Sequence, residues 1–321
     1  MSFALNGRPG VALHTRERIL ASARTLGWTP SAPARALSRS RASAVGLVLS
    51  RPAELLGADP FFGLFIAGVE VVLAARGFAL VLQVVGEGAA EANSYRRLFQ
   101  EGRVDGVFLL DLHRDDPRFD LLVELGLPAV AVGRPAGTCP FAWVAPDDRI
   151  GPRAAVEHLV GLGHRRIAHV AGSPGYVHSV ARERAWREAL EDAGVEPGPV
   201  VVADFTGPRG AAATRELLAL AHPPTAVVYA NDLMAIAGLG VALETGRRVP
   251  ADLSIVGYGD TVLAAHVVPA LTSVREDVLG WGRAAAETLL ALLGDRSPPP
   301  VALDLPALVV RASTGPAPPH A

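Results

Sequence analysis

Residues 150–172, IGPRAAVEHLVGLGHRRIAHVAG, contain the unit from which most of the chain is built. Apolar residues at helical spacing run from Ile150 to Leu162, and RRIAHVAG then forms a short apolar run that ends in glycine. Short apolar strands alternating with amphipathic helices are typical of a parallel sheet covered by helices on both faces. The alternation continues through Ser179–Ala193, PVVVADF, Gly207–Leu220, TAVVYAND, Asp232–Glu244 and DLSIVGYGD.

The same alternation occurs once before, ahead of residue 147. Its segments are AVGLVLS, Phe61–Ala75, FALVLQV, Glu91–Glu101, VDGVFLL, Phe119–Leu125, PAVAV and AWVAPD. Because the cycle runs twice, the sequence predicts an α/β fold with two doubly wound parallel-sheet lobes. Ligands of such lobes bind beyond the carboxyl ends of the strands, so the cleft between the lobes is the predicted binding site.

The first 45 residues differ from the rest in charge. They hold seven arginines and one acid, Glu17, for a net charge of +6; the whole chain carries −2, so residues 46–321 carry −8. A basic arm beside an acidic globule is typical of nucleic-acid binding, and a solvated arginine-rich surface helix is the alternative. The pattern predicts a helix over Thr15–Leu26 and a short helix over Ser31–Ser38.

Length and composition limit the classes of protein to which this chain can belong. The chain has 321 residues, half of them hydrophobic, which is enough for two domains with a substantial core. No apolar run has the length of a membrane span, and no secretory signal pattern is present at the N-terminus. The one cysteine, Cys139, excludes an intrachain disulfide and a cysteine-based zinc cluster, which fits a reducing compartment. We therefore expect a cytoplasmic protein with no membrane association.

Motifs of catalysis and of cofactor binding are missing from the sequence. It contains no G-x-x-x-x-G-K-[ST], H-E-x-x-H or G-x-S-x-G, and no G-x-G-x-x-G follows the first strand. Cys139 precedes a proline with no histidine nearby, and His158 and His164 are six residues apart, a spacing that does not share a helix face. We therefore expect no enzymatic activity and no cofactor.

Four N-terminal segments carry a family resemblance. SFALNGRPGV, TRERILASARTLGW, TPSAPARALSRSRAS and AVGLVLS follow one another in residues 2–50. They resemble the headpiece, hinge helix and first core strand of the lactose-repressor (LacI/GalR) family of bacterial transcription regulators. Further matching segments are DPFFGLFIAGVE, VDGVFLL, VEHLVGLGHRRIAHVAG, ANDLMAIAGL and DLSIVGYGD followed by PALTSVRED. The resemblance implies a periplasmic-binding-protein-like core with an effector in its cleft, and a homodimer that binds operator DNA.

The resemblance also implies domain boundaries. Residues 1–44 would form a truncated, all-α helix-turn-helix headpiece with a hinge helix. Residues 45–146 plus 275–302 would form the N-terminal lobe, and residues 147–274 plus 303–314 the C-terminal lobe, with 315–321 as a disordered tail. Family members carry about twenty further residues ahead of this point, and Met1 stands where they usually have valine. We therefore expect the natural start codon to lie upstream.

The family's DNA contacts map onto the basic arm. Leu37 matches the hinge-helix leucine that wedges into the minor groove, and a core contact with the lobes is the alternative role for this side chain. The residues that match DNA-contacting positions are Ser2, Asn6, Arg8, Arg35, Leu37 and Arg39.

The family's effector contacts map onto strand ends. Arg182 matches an arginine that holds an effector carboxylate or hydroxyl; a surface arginine is the alternative, and Arg184 is a nearby rival. Phe205 matches an aromatic residue that stacks on the effector, and Asn231 is placed to hydrogen-bond it, whereas Asp232 reads more readily as a helix N-cap. The full candidate set is Phe61, Phe62, Asp147, Arg182, Phe205, Asn231, Asp232 and Asp260.

The segment Gly257–Asp260 departs from the family pattern. Gly259 stands where the family usually has an aspartate that hydrogen-bonds the effector, so either a different ligand binds, or Asp260 or a water replaces that acid. The sequence predicts a ligand-responsive repressor with a sugar-like or nucleoside-like effector. A solute-binding protein of a transport system is the alternative, and the basic helices in place of a signal peptide disfavour it.

Overall fold

In the computed structural model of the chain, the described residues are 10–26, 41–86, 88–296, 298, 301 and 303–319. The predicted hinge helix and the predicted DNA contacts lie outside them, namely Ser2, Asn6, Arg8, Arg35, Leu37 and Arg39. Within the basic arm, helix α1 spans Leu13–Thr25. No helix among the described residues combines the length and the apolar character needed to cross a lipid bilayer.

The N-terminal lobe contains a five-stranded parallel sheet with strand order β2-β1-β3-β4-β5. Its central strand β1 is buried along its whole length, which explains why AVGLVL is an unbroken apolar run. The elements of this lobe, in chain order, are β1 Ala44–Leu49, α2 Ala53–Ala58, α3 Pro60–Arg76, β2 Ala79–Val84, α4 Ala89–Gln100, β3 Gly106–Leu109, α5 Pro117–Leu125, β4 Ala129–Val132 and β5 Ala142–Val144.

The C-terminal lobe contains a six-stranded sheet with strand order β11-β10-β9-β8-β6-β7, parallel except for β11. The fold is therefore the predicted pair of doubly wound lobes, and each predicted helix that is described agrees with the structure to within two residues at either end. The elements are α6 Ile150–Gly161, β6 Ile167–Ala171, α7 Val177–Asp192, β7 Val200–Val202, α8 Gly207–Leu218, β8 Ala226–Tyr229, α9 Asp232–Glu244, β9 Ser254–Gly259, a 3-10 turn Val262–Ala265, β10 Thr272–Arg275, α10 Val278–Leu293 and β11 Ala307–Val309.

Helix α10 follows the last parallel strand of the C-terminal lobe but packs against α3 of the N-terminal lobe. The two backbones touch where each helix has a glycine. A Cβ atom on Gly68 would lie 2.1 Å from the carbonyl oxygen of Leu279, and one on Gly282 would lie 2.2 Å from that of Phe65. No side chain larger than hydrogen fits at either position, so this glycine pair sets the distance between the two helices.

The segment after β11 is held against the C-terminal lobe. The carbonyl oxygen of Gly315 lies 3.1 Å from Nε2 of buried His164, and the backbone N–H of Ala317 donates to the carbonyl of Leu162 over 2.9 Å. The side chains of His158 and Thr314 also meet, with 2.9 Å between Nε2 and the hydroxyl oxygen. The expected disorder from residue 315 onward is therefore wrong for residues 315–317, because these hydrogen bonds anchor a segment that composition alone marks as unstructured.

Candidate functional site

A cavity lies between the two lobes, beyond the carboxyl ends of their parallel strands. Six of the eight predicted effector residues line it, and Asp147 and Asp260 do not. The six are Phe61, Phe62, Arg182, Phe205, Asn231 and Asp232.

Aromatic rings from both lobes form the apolar walls of the cavity. At the start of α3, Phe61 lies edge-on to Phe62 at 5.4 Å between ring centroids and to Trp281 of α10 at 6.0 Å. Trp281 is buried, and its indole Nε1 has no hydrogen-bond partner among the described residues. On the opposite lobe, the ring of Phe205 occupies space that a Cβ atom on Gly172 would fill. The cavity thus presents aromatic rings from both lobes.

Arg182 is held between two carboxylates. Its Nη2 donates to Asp148 Oδ1 at 3.2 Å and to Glu276 Oε1 at 3.4 Å, and its guanidinium carbon lies 3.8 Å from the centre of the Tyr258 ring. Only 11% of its side chain is exposed, so the surface-arginine alternative is wrong. The rival Arg184 is exposed and paired with Glu188. Arg182 is therefore a fixed cation that joins three separate segments of the chain at the cavity.

Glu276 is the buried acid of this cluster, and its Oε1 accepts a hydrogen bond from the Tyr258 hydroxyl at 2.6 Å. Burial raises the pKa of Glu276 from 4.5 to about 7, against the lowering effect of Arg182. Its folded pKa is thus above its unfolded pKa. The stability that the protonated carboxyl contributes is fully present below about pH 4.5 and is lost as the pH rises through 7.

Replacing Glu276 by glutamine should remove this dependence on pH. Glutamine cannot ionise but can still accept the hydrogen bond from Tyr258. The unfolding free energy of the wild type minus that of E276Q should fall by about 3 kcal/mol between pH 5 and pH 8. Urea denaturation of both proteins across this range measures the difference, and a difference that stays constant or grows with pH would contradict the assignment.

Arg51 and Asp111 form a second ion pair at the cavity. Arg51 donates from Nε and Nη2 to the two carboxylate oxygens of Asp111, both at 2.8 Å. Burial alone would raise the pKa of Asp111, but the hydrogen bonds from Arg51 lower it. The Arg51 guanidinium also lies 3.9 Å from the ring centre of Tyr176, the residue before α7 in the other lobe. The pair therefore connects the two lobes as well as lining the site.

Asn231 links three elements across the cleft. Its Oδ1 accepts from the backbone N–H of Met234, so Asn231 is the N-cap of α9. Its Nδ2 donates to the carbonyl oxygen of Phe205 at 2.9 Å and to Asp59 Oδ2 of the N-terminal lobe at 3.3 Å. The bond to the Phe205 carbonyl stabilises Phe205 at a φ of 70°. This backbone conformation costs a residue with a side chain about 1–3 kcal/mol. Asn231 thus positions the aromatic wall and touches the facing lobe.

The N-cap reading of Asp232 is therefore wrong. Asp232 is the first residue of α9 and is 1% exposed. Its carboxylate accepts from the backbone N–H of Thr261 at 2.7 Å and from the hydroxyl of Ser273 at 2.5 Å. It joins α9 to the strands beside it at the edge of the cavity.

Asp260 and Asp147 lie outside the cavity. Asp260 pairs with Arg275 and Arg311, each at 2.6 Å, so it does not replace the acid that is missing at Gly259, a residue that does line the cavity. Asp147 accepts two hydrogen bonds from the Arg149 guanidinium and one from its backbone N–H, which lower the pKa of Asp147 to about 2. Asp147 faces a neighbouring groove.

Several cavity residues were not predicted from the sequence. Arg51, Asp111 and Glu276 follow a strand directly or after one residue. Asn231 was predicted from a position of this kind at a strand end, so the same reasoning could have predicted these three. Tyr258 and Trp281 had no such signal, because an aromatic residue inside a strand or helix reads as core. Within the described part of the chain, no group of three His, Cys, Asp or Glu residues is placed to hold a metal ion. The unpredicted cavity residues include Arg51, Asp111, Asp148, Tyr258, Glu276 and Trp281.

Comparison with known proteins gives the following matches. Residues 156–314 match the family described as periplasmic binding protein-like domain. The chain is 40% identical over 318 residues to the HTH-type transcriptional regulator CelR of Thermobifida fusca, covering 98% of this chain and 93% of that protein. A solved transcriptional regulator CelR–cellobiose complex has a TM-score of 0.79 at 39% identity, with 97% and 94% of the two chains covered. The lac repressor dimer bound to operator and the anti-inducer ONPF has a TM-score of 0.86 at 27% identity, with 98% and 94% covered.

Proposed function

The chain belongs to the LacI family of transcription regulators, and on that premise we propose that it changes its affinity for operator DNA when a neutral sugar binds between its lobes. The class of sugar is a glucose disaccharide of the cellobiose type. The observation that carries this assignment is an aromatic-walled cavity in which both arginines already pair with acids.

The charge of the cavity supports an uncharged ligand. Five acidic residues and two arginines line it, and both arginines already pair with acids of the cavity. An organic acid, nucleotide or phosphorylated sugar would meet an excess of carboxylates without a free cation to offset its charge. A polyol meets no such penalty, because its hydroxyls donate to carboxylates and accept from arginine and asparagine N–H groups. The acids are Asp59, Asp111, Asp148, Asp232 and Glu276.

The aromatic walls support a pyranose ring. The C–H faces of a sugar are apolar and pack against aromatic rings such as Phe61, Trp281 and Phe205. A relative that is 39% identical has been solved in complex with cellobiose, which is a ligand of this chemistry.

DNA binding, dimerisation and location follow from the same premise. The lac repressor, with which this chain shares its fold, is bound to its operator as a dimer in the solved structure. We propose that this protein acts in the cytoplasm as a homodimer on duplex DNA, and that it responds to its ligand without transforming it. The alternative of a transport receptor is not favoured, because the relatives are transcriptional regulators.

A thermal-shift series tests the effector class. Cellobiose at a hundred times its dissociation constant should add about 2.7 kcal/mol to the free energy of unfolding. Trp281→Leu keeps an apolar side chain and removes an aromatic ring from the cavity wall, so it should weaken cellobiose binding about tenfold. Trp143→Leu is the matched control, because Trp143 is an exposed residue of β5 that does not line the cavity. Stabilisation by adenosine or an organic acid in place of any neutral sugar would overturn the proposal.

A further inference from the structure

Four side chains at one wall of the effector cavity meet where the chain passes between the lobes. They are Asp148, Arg182, Tyr258 and Glu276, which we call the hinge cluster. On the premise of the sugar effector proposed above, we propose that the hinge cluster is a pH-sensitive switch, in which Glu276 takes up a proton when the effector binds. The effector therefore binds more tightly as the pH falls from 8 to 6.

The two acids of the hinge cluster lie on two different connections between the lobes. Asp148 belongs to residues 145–149, which lead from β5 of the N-terminal lobe to α6 of the C-terminal lobe. Glu276 belongs to residues 276–277, which lead from β10 of the C-terminal lobe to α10, the helix that packs against α3. Arg182 contacts both acids from α7, so one guanidinium holds two of the segments about which the lobes can move.

The hinge cluster has one cation for two acids. Nη2 of Arg182 lies 3.2 Å from Asp148 Oδ1 and 3.4 Å from Glu276 Oε1. In the one-to-one pair of Arg51 with Asp111, both hydrogen bonds measure 2.8 Å, the distance typical of a charge-assisted hydrogen bond. The shared guanidinium thus lies farther from each of its acids, and with both acids ionised the cluster carries one uncompensated negative charge.

The uncompensated charge has little access to solvent. No more than 11% of the Asp148, Arg182 or Glu276 side chain is exposed. A proton on Glu276 leaves Asp148 and Arg182 as a neutral pair, and burial already raises the pKa of Glu276 to about 7. The hinge cluster therefore changes its charge within the pH range in which most proteins work.

A sugar in the cavity should move this proton equilibrium toward uptake. Because the hinge cluster lines the cavity, a bound sugar covers what remains exposed of it, and the ionised form of Glu276 loses further solvation. Both oxygens of Glu276 already accept hydrogen bonds within the protein, Oε1 from Tyr258 and Oε2 from Arg182. Burial rather than a new hydrogen bond therefore sets the direction, and the proton and the sugar favour each other's binding.

Three groups face Glu276 from the elements packed against it, namely Arg182 on α7, Asp148 ahead of α6 and Tyr258 on β9. Burial raises the pKa of Tyr258, so its hydroxyl stays protonated and donates to Glu276. Asp277, the next residue, directs its carboxylate into the first turn of its own helix α10. Within the hinge cluster, Glu276 is thus the group whose charge changes near neutral pH.

Among the other ionisable groups of the cavity wall, Asp232 is the rival proton site. Burial and the nearby Arg182 lower the pKa of His178 to about 3, so its ring stays neutral. Asp111 stays ionised, because its hydrogen bonds from Arg51 lower its pKa. Burial raises the pKa of Asp232, so a variant that removes only the Glu276 carboxyl is needed to identify the proton site. These other groups are Arg51, Asp59, Asp111, His178 and Asp232.

Titration calorimetry of the full chain with cellobiose tests the switch. At pH 7.5, the binding enthalpies in buffers of different ionisation enthalpy give the number of protons taken up. We expect uptake of about 0.5 proton per site in the wild type, and a dissociation constant at least about threefold lower at pH 6 than at pH 8. Glu276→Gln cannot ionise, so it should take up no proton and bind cellobiose equally at both pH values.

Glu287→Gln is the matched control. Glu287 is an exposed acid of the same helix α10 and does not line the cavity, so its replacement should leave the proton uptake as in the wild type. Three results would overturn the proposal. They are no proton uptake in the wild type, release of a proton on binding, and uptake that persists in Glu276→Gln, which places the proton on another group such as Asp232.

Carbon-13 NMR of the free protein, labelled at the glutamate carboxyl carbons, tests Glu276 without a ligand. The signal that is absent from Glu276→Gln should titrate near pH 7. A titration that is complete below pH 6 would overturn the switch even where cellobiose binds. If cellobiose does not bind, the proposed effector is wrong, and this titration by itself decides whether Glu276 carries the proton.

Discussion

Replacing Arg182 by methionine is expected to lower the free energy of unfolding by about 3–5 kcal/mol at pH 8, where Glu276 is ionised in the wild type, because Asp148 and Glu276 then lose the cation between them. The same change should abolish stabilisation by the effector, since the guanidinium borders the cavity at 3.8 Å from the Tyr258 ring. Urea denaturation with and without cellobiose measures both effects.

A control and a rescue separate this effect from general damage to α7. Arg187→Met removes an exposed arginine of the same helix that pairs with Glu183, and it should change stability by about 0.5 kcal/mol or less. Adding Asp148→Asn and Glu276→Gln to Arg182→Met removes the uncompensated charges and should restore a large part of the lost stability. Arg182→Met with wild-type stability would show that the two carboxylates do not depend on this arginine.

The second large effect is expected at the glycine pair of α3 and α10. Gly68→Ala would place a methyl group 2.1 Å from the carbonyl oxygen of Leu279, so the helices must separate. We expect a loss of about 1–3 kcal/mol in the free energy of unfolding. Weaker effector binding should accompany it, because these helices carry Phe61 and Trp281, whose rings are 6.0 Å apart.

Gly63→Ala on the same helix is the matched control. A Cβ atom at Gly63 would meet nothing within 4 Å, so this change should stabilise the protein by up to about 1 kcal/mol through helix propensity. If close packing of the helices causes the loss at Gly68, the changes in the free energy of unfolding, measured by chemical denaturation, should have opposite signs in the two variants. A stabilising Gly68→Ala would mean that the helices can move apart without cost.

The fold was predictable because its pattern is local. Each strand is a short buried run, each helix has its own periodicity, and their alternation was enough to give two parallel-sheet lobes. The site was only partly predictable. Arg182, Phe205 and Asn231 were found through strand ends and the family resemblance. The partners of Arg182 come from residues 148, 258 and 276, and no local pattern predicts that these positions meet.

The misassigned acids show why strand-end position alone is not sufficient. Asp260 follows β9 directly, but its φ is 45° and that of Gly259 is 121°, and its carboxylate meets Arg275 and Arg311. Asp147 and Asp148 are adjacent, and only Asp148 lines the effector cavity while both line the neighbouring groove. Backbone conformation over one or two residues decides these outcomes, and composition and spacing do not encode it.

The pairing of α3 with α10 has a consequence for how the protein is made. About 200 residues separate the end of α3 from the start of α10, so at about 5–20 residues per second roughly 10–40 s pass on the ribosome before the partner emerges. During that time Phe65 and Val69, buried in the finished protein, lack one of their covering helices. We therefore expect the N-terminal lobe to complete its packing only after almost the whole polypeptide has been synthesised, and to expose apolar surface that chaperones can bind until then.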